Sequence, residues 1–104
     1  MIVKQLRKIK DDVRELLIRY PEYRDDDNRL ISAFYYTKYG GREAFDNITA
    51  MQFLRDFAEK RFPLPDNITR VRRKLQEQEP LLRGDKWAER HKLEQETRDE
   101  IINL

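Results

Sequence analysis

The densest cationic cluster in the chain follows the second of two identical DNIT tetrapeptides, which occupy 46–49 and 66–69. The cluster consists of Arg70, Arg72, Arg73 and Lys74. Arginine carries a planar fork of donors that matches two phosphate oxygens or the edge of guanine, and lysine supplies a compact charge. These residue types, so closely spaced, favour contact with nucleic acid.

A helix over this segment would place Ile68, Val71 and Leu75 on one face. The opposite face would present cations, and polar side chains that can contact bases or backbone would flank it. The residues expected to bind nucleic acid are Thr69, Arg70, Arg72, Arg73, Lys74 and Gln76, with Arg72 at the margin. The alternative is a merely solvated face, because 40% of the residues in this chain are charged.

The segment 49–79 follows the order of a helix-turn-helix unit, in which the second helix contacts DNA. The predicted turn from Phe62 to Asp66 is longer than the usual three or four residues and contains two prolines. We therefore predict a variant of the helix-turn-helix.

The block from Leu64 to Gln76, LPDNITRVRRKLQ, continues to Pro80–Gly84, PLLRG. This block resembles a segment of small uncharacterised proteins of bacteriophages and prophages. The resemblance implies an accessory or DNA-associated protein in the cytosol of a bacterial host. It transfers no catalytic residue to this chain.

Length and composition limit the remaining possibilities. The 104 residues suit one thin-cored domain, 1–104, and the net charge of +2 means that any cationic binding surface must be local. The absence of cysteine excludes disulfides and thiolate metal sites. No apolar run suits a membrane span or a signal peptide, so we expect a cytoplasmic location.

The helical periodicity predicts an all-α domain of about five helices. An N-terminal amphipathic helix over 1–20 ends before Pro21. The acidic stretch Arg24–Asn28 starts a second helix, which Gly40 and Gly41 end. A short hairpin over 35–45 remains an alternative. The seam of the first helix consists of Ile2, Leu6, Ile9, Val13, Leu16 and Tyr20.

Both DNIT tetrapeptides are interpreted as helix starts. Thr49 and Gln52 fit a capping box for the third helix, with Ile48 packing before the cap. Asp66 or Asn67 would cap the fourth helix. Asp85 would cap a charged C-terminal helix within 85–104. The expected core of the central helix pair consists of Leu54, Phe57, Ile68, Val71 and Leu75.

Other candidate sites favour structure over chemistry. The three aspartates Asp25–Asp27 lack the spacing, glycine and distant glutamate of a calcium loop. His91 is the only histidine, which argues against zinc. We expect no catalytic role, no metal and no cofactor. The tyrosines at 35, 36 and 39 can stack on bases, but packing is the favoured interpretation.

The alternative function is a helical adaptor that binds a host or phage protein without contacting nucleic acid. Amphipathic terminal helices can pair between subunits, so a homodimer through them is possible. The sparse contact residues of the last helix are Trp87, Leu93, Ile101, Ile102 and Leu104. Salt discriminates the two functions, because phosphate binding weakens steeply as salt rises.

Overall fold

The computed structural model describes the backbone of residues 2–102 and the side chains of residues 8–101. The helices are α1 (Ile2–Arg19), α2 (Asp27–Lys38), α3 (Arg42–Asp46), α4 (Ala50–Ala58), α5 (Pro65–Gln78) and α6 (Trp87–Ile102), with 3-10 turns at Pro21–Asp25 and Pro80–Leu82. No strand occurs within residues 2–102, so the all-α prediction is confirmed and α3 lies where a hairpin was the alternative. None of the described helices has the length and apolar character needed to cross a membrane.

Several helix boundaries agree with the predicted local signals. Asp26 caps α2 by accepting a hydrogen bond from Arg29 N at 3.1 Å, and Thr49 caps α4 through Gln52 N at 3.0 Å. Gly40 and its neighbour have φ values of 101° and 121°, in the left-handed region that glycine tolerates.

The second DNIT tetrapeptide is not a cap, which corrects the expectation for Asp66 and Asn67. The N-cap of α5 is Leu64, which makes no side-chain hydrogen bond, and Pro65 occupies the first helical position. Proline is favoured there because its fixed φ suits a helix and its missing N–H has no intrahelical partner. The helix therefore starts earlier than predicted, and the tetrapeptide lies inside it.

The core lies between α1, α2 and α5. Its fully enclosed large side chains include Leu17 of α1, Phe34 of α2 and Leu75 of α5. Val13 and Leu16 confirm part of the predicted α1 seam. The side chains at positions 2 and 6 of this seam, and those of the predicted contact residues Ile102 and Leu104, lie outside the described residues.

The predicted core of the central helix pair needs correction. Ile68 and Leu75 are buried as expected, whereas Phe57 and Val71 are half-buried and Leu54 is 59% exposed. Among the α-helices, the main partners of α5 are α1 and α2. The chain follows the predicted order of helix, turn and helix from α4 to α5. However, α5 buries its apolar face mostly against helices from earlier in the chain.

A second cluster consists of aromatic rings where α3, α4 and the α4–α5 turn meet the end of α2. Tyr35 lies at its centre, and its hydroxyl donates to Pro63 O at 3.0 Å. The rings around it form edge-to-face and tilted contacts. They belong to Tyr39, Phe45, Phe53, Phe57 and Phe62. Tyr35 and Tyr39 therefore serve packing, and burial raises the pKa of Tyr35.

Asp56 of α4 is buried beside this cluster and is held by neutral donors. Tyr39 donates its hydroxyl hydrogen to Oδ2 at 2.6 Å, and Gln52 Nε2 donates to Oδ1 at 2.9 Å. The hydrogen bond from Tyr39 is the main reason that the pKa of Asp56 is lowered. Burial, together with this bond, raises the pKa of Tyr39 to about 12. The pair fixes α4 to the end of α2.

The three consecutive aspartates have separate structural roles. Asp26 caps α2, Asp27 pairs with α5, and Asp25 holds the start of α6. The carboxylate of Asp25 accepts hydrogen bonds from Lys86 N and Arg90 Nη2, both at 3.3 Å. These roles agree with the structural interpretation of the acidic stretch.

Gly84 lies against the Asp25 carboxylate, which a Cβ at position 84 would overlap. We expect Gly84→Ala to lower the free energy of unfolding by about 1–2 kcal/mol, because Asp25 must turn away from Lys86 and Arg90. In an Asp25→Ala background the same change should cost nearly nothing, since the overlapping atoms are gone. Urea unfolding of the four proteins measures this coupling, and an equal cost in both backgrounds would contradict it.

Beyond its first turn α6 leaves the body of the domain. Every side chain from Lys92 to Ile101 is exposed, and the longest dimension of the molecule is 53 Å against 27 and 26 Å. By contrast, Ile9, Val13 and Leu16 of the predicted α1 seam pack in the core, whereas Tyr20 of that seam is 39% exposed. Among the side chains of residues 8–101, those of α6 therefore keep a largely free surface for association.

Candidate nucleic-acid interface

The helix α5 is placed by its apolar face. Ile68 and Leu75 are completely buried between α1 and α2, so the opposite side of the helix must face solvent. Arg70, Arg73 and Lys74 are exposed there as predicted. None of these three forms an ion pair with the side chains described, those of residues 8–101.

Arg72 and Gln76 are not on the solvent face, which corrects their predicted position. Arg72 is 5% exposed and Gln76 is 0% exposed. Arg72 Nε lies 2.8 Å from Asp27 Oδ1, and its Nη2 donates to Oδ2 of the same carboxylate at 3.2 Å. Arg72 Nη1 also donates to Gln76 Oε1 at 3.0 Å. Both side chains are committed to the fold.

Gln76 joins three segments of the chain. Its Nε2 donates to Arg24 O at 2.9 Å and to Leu82 O at 3.2 Å, while its Oε1 accepts from Arg72. A buried amide costs free energy unless its donors and acceptor are satisfied, and here they are. This network connects α5 to both 3-10 turns and replaces the base-reading role predicted for Gln76.

Thr69 is half-buried and is also engaged locally. Its hydroxyl donates to Asp66 O at 3.1 Å within the first turns of α5. This contact is a common local bond of threonine to the backbone of its own helix. Thr69 therefore contributes to the start of the helix, and its hydroxyl hydrogen is already engaged by the backbone.

The exposed cations divide between two grooves on either side of α5. Arg70 and Lys74 line a groove of about 250 Å³ between α5 and α1. The other residues that line it are Lys10, Asn67, Val71, Leu75 and Gln78. Among the side chains described, those of residues 8–101, three cations and no carboxylate therefore line this space, which we call the α1–α5 groove.

Lys10 is the member of this groove that sequence reasoning missed. It lies on α1, 60 residues before Arg70, and only the packing of α1 on α5 brings the two side chains together. The nearby carboxylate of Glu79 is held by Arg14 at 2.9 Å. That hydrogen bond is the main cause of the lowered pKa of Glu79, and the charge of Lys10 adds to it.

Arg73 lies apart, on a cleft between α5 and the start of α6. The cleft has a volume of about 430 Å³ and mixes both signs of charge. Its lining consists of Asp27, Arg72, Arg73, Glu77, Trp87, Arg90, His91 and Glu94. Because three of these residues are acidic, this side of α5 is a weaker place for phosphate than the α1–α5 groove.

His91 and Trp87 form the aromatic part of that cleft. Their rings stack with centroids 5.0 Å apart and planes 7° from parallel, and Arg83 lies 3.7 Å from the Trp87 ring. The stack orders the first turns of α6. No group of three or more histidine, cysteine or acidic side chains able to hold a metal ion occurs among the described residues.

The electrostatic arrangement thus differs from the predicted single face. Counting the described side chains, one groove is purely cationic, the other is mixed, and two predicted contact residues lie in the interior.

No protein-family model matches this chain, and no similar protein was found among curated sequences or solved structures.

Proposed function

We propose that this protein binds duplex DNA as an accessory protein of a phage or prophage. The observation that carries the proposal is the α1–α5 groove, whose charged side chains within residues 8–101 are all cationic: Lys10, Arg70 and Lys74. Two exposed cations one turn apart on α5, with a third on α1, can each approach a phosphate oxygen.

The setting of these cations supports the proposal. Ile68 and Leu75 anchor the opposite face of α5 in the core, so the charged stems project from a fixed backbone. The energetic cost of ordering a ligand-binding surface is smaller when its scaffold is already rigid. Arg70 adds a donor fork that suits bidentate phosphate contact or the edge of guanine.

The phage or prophage setting rests on the resemblance of the segment LPDNITRVRRKLQ and its PLLRG continuation. Several residues of this segment stabilise the fold. Leu82 is buried, and Arg83 Nε donates to Gln76 O at 2.5 Å. The DNA-binding proposal therefore stands on the groove, and the phage setting on the resemblance.

Removal of Arg70 and Lys74 tests the proposal. The double change Arg70→Ala and Lys74→Ala should weaken binding to a mixed-sequence duplex and reduce the salt slope by about two units, one for each lost phosphate contact. Fluorescence anisotropy at low and moderate salt measures both quantities. If Arg70 reads guanine, discrimination at that base pair should fall by about 1–3 kcal/mol.

The matched control is Lys92→Ala with Arg98→Ala, which removes the same charges from the exposed part of α6. This control should bind like the wild-type protein if the groove is responsible. Absence of wild-type binding at low salt, or an equal loss in the control, would refute a specific role of the groove.

A second candidate function is a helical adaptor for a host or phage protein. Apolar side chains on α4 and α6 favour it, since Met51 and Leu54 are 66% and 59% exposed and Leu93 and Ile101 are 56% and 65% exposed. Such surfaces suit helix-in-groove contacts or a homodimer through α6. A partner bound in this way would be retained at high salt, whereas DNA would be released.

A further inference from the structure

A second cationic groove lies between α1, the end of α2 and the α4–α5 turn. It has a volume of about 390 Å³. Its lining consists of Lys8, Ile9, Asp12, Phe34, Lys38, Lys60, Arg61, Phe62, Pro63 and Asn67. We call it the turn groove. Within the described part of the chain, Asp12 is the only carboxylate that lines it, against four cationic side chains.

Some of these charges are already neutralised. Lys38 pairs with Asp12, and Arg61 lies 3.2 Å from Glu59 and 3.8 Å from Asp56. The remaining cations, Lys8 and Lys60, are exposed and form no ion pair with the side chains of residues 8–101. The turn groove therefore keeps a net positive charge that the fold does not use.

The two grooves are adjoining parts of one surface. Asn67, on the first turns of α5, lines both of them. Its side-chain amide can donate a hydrogen bond to a phosphate oxygen without adding charge. A chain of anionic groups that occupies the α1–α5 groove can continue past Asn67 and meet Lys8 and Lys60.

Lys60 has an unusual backbone for a lysine. Its φ is 62°, the one left-handed non-glycine conformation within residues 2–102. The bonds Lys60 N to Phe57 O and Arg61 N to Asp56 O, both 3.1 Å, close the end of α4 around it. Glycine would adopt this backbone without the steric cost that a side chain incurs there. A lysine therefore occupies a position whose backbone conformation favours glycine.

We propose that a continuous phosphodiester backbone runs through both grooves, so that Lys8 and Lys60 bind phosphates next to those held by Arg70 and Lys74. This inference rests on the proposed DNA binding and assigns its path. The binding surface then consists of α1, α5 and the α4–α5 turn. The partner of α5 in binding is α1, from the other end of the chain, and the preceding helix α4 contributes only the turn at its end.

The test compares three double variants with the wild-type protein on one mixed-sequence duplex. They are K8Q/K60N in the turn groove, R70Q/K74Q in the α1–α5 groove and K92Q/R98Q on α6. Asparagine is chosen at position 60 because it tolerates the left-handed conformation. Each lost phosphate contact should reduce the salt slope by about one unit and the affinity at 0.1 M salt by about tenfold.

The expected result is a reduced slope and affinity for K8Q/K60N and for R70Q/K74Q, with K92Q/R98Q unchanged. If K8Q/K60N keeps the wild-type slope while R70Q/K74Q loses it, the path through the turn groove is wrong and the proposed function stands. If the wild-type protein does not bind duplex at low salt, the proposed function and the proposed path are both wrong. Should K60N lower the melting temperature, K8Q alone decides, because Lys8 is an exposed side chain of α1.

Discussion

Replacing Phe34 with alanine is expected to lower the free energy of unfolding by about 3–5 kcal/mol, the usual cost of emptying a buried phenylalanine site. Phe34 of α2 is 1% exposed, and its side chain lies in the core between α1, α2 and α5. Its ring also meets Tyr35 edge-to-face at 6.3 Å and lies 5.0 Å from Lys38 Nζ. A domain of this size has about 5–15 kcal/mol of stability in total, so the loss should be conspicuous.

Urea unfolding followed by circular dichroism measures the change. The control is Leu54→Ala on α4, a position that the periodicity assigns to the core but that is 59% exposed. That change should stay within about 0.5 kcal/mol, as for other surface positions. A larger loss at Leu54 than at Phe34 would mean that the core lies between α4 and α5 after all.

Replacing Arg72 with alanine is expected to lower the free energy of unfolding by about 2–3 kcal/mol, although the sequence places Arg72 at the margin of the cationic face. The change removes the partner of Asp27 and the donor to Gln76 Oε1. The cost should fall below the ~3–5 kcal/mol of a fully buried pair, because Asp27 is 39% exposed and water can solvate its carboxylate.

Arg73→Ala is the matched control, since it removes the same side chain one residue later from an exposed position. It should leave stability nearly unchanged, whereas Arg72→Ala should lower the urea midpoint. Arg72→Met tests the role directly, because it fills part of the volume without the charge. If Arg72→Met folds stably but no longer binds duplex, Arg72 contacts DNA and its assignment to the interior is wrong.

Local signals in the sequence determined the class of the fold and several helix ends. Periodicity predicted five of the six α-helices within residues 2–102, since a 3.6-residue repeat requires no knowledge of distant partners, but it did not predict the short α3. Asp26, Thr49 and the glycine pair at 40 and 41 end or start helices through bonds and backbone preferences that span only a few residues. These features can be predicted from the sequence because their causes are local.

The two DNIT tetrapeptides show the limit of structure prediction from local sequence. In the first, Thr49 caps α4 and Ile48 lies outside a helix, half-buried. In the second, the preceding Pro65 starts α5 earlier, so Ile68 is inside the helix and completely buried. The same four residues thus have different roles because the residue before them and the surface that receives them differ.

Only the tertiary structure decided which cations are free. Arg72 and Arg73 are neighbours of the same type, yet Asp27, 45 residues earlier, draws one into the interior while the other faces solvent. A helical projection gives the angle of each side chain but not the helix that packs beside it. The charge of a groove is a sum over side chains from distant segments, such as Lys10 with Arg70, and that sum exists only when α1 packs on α5.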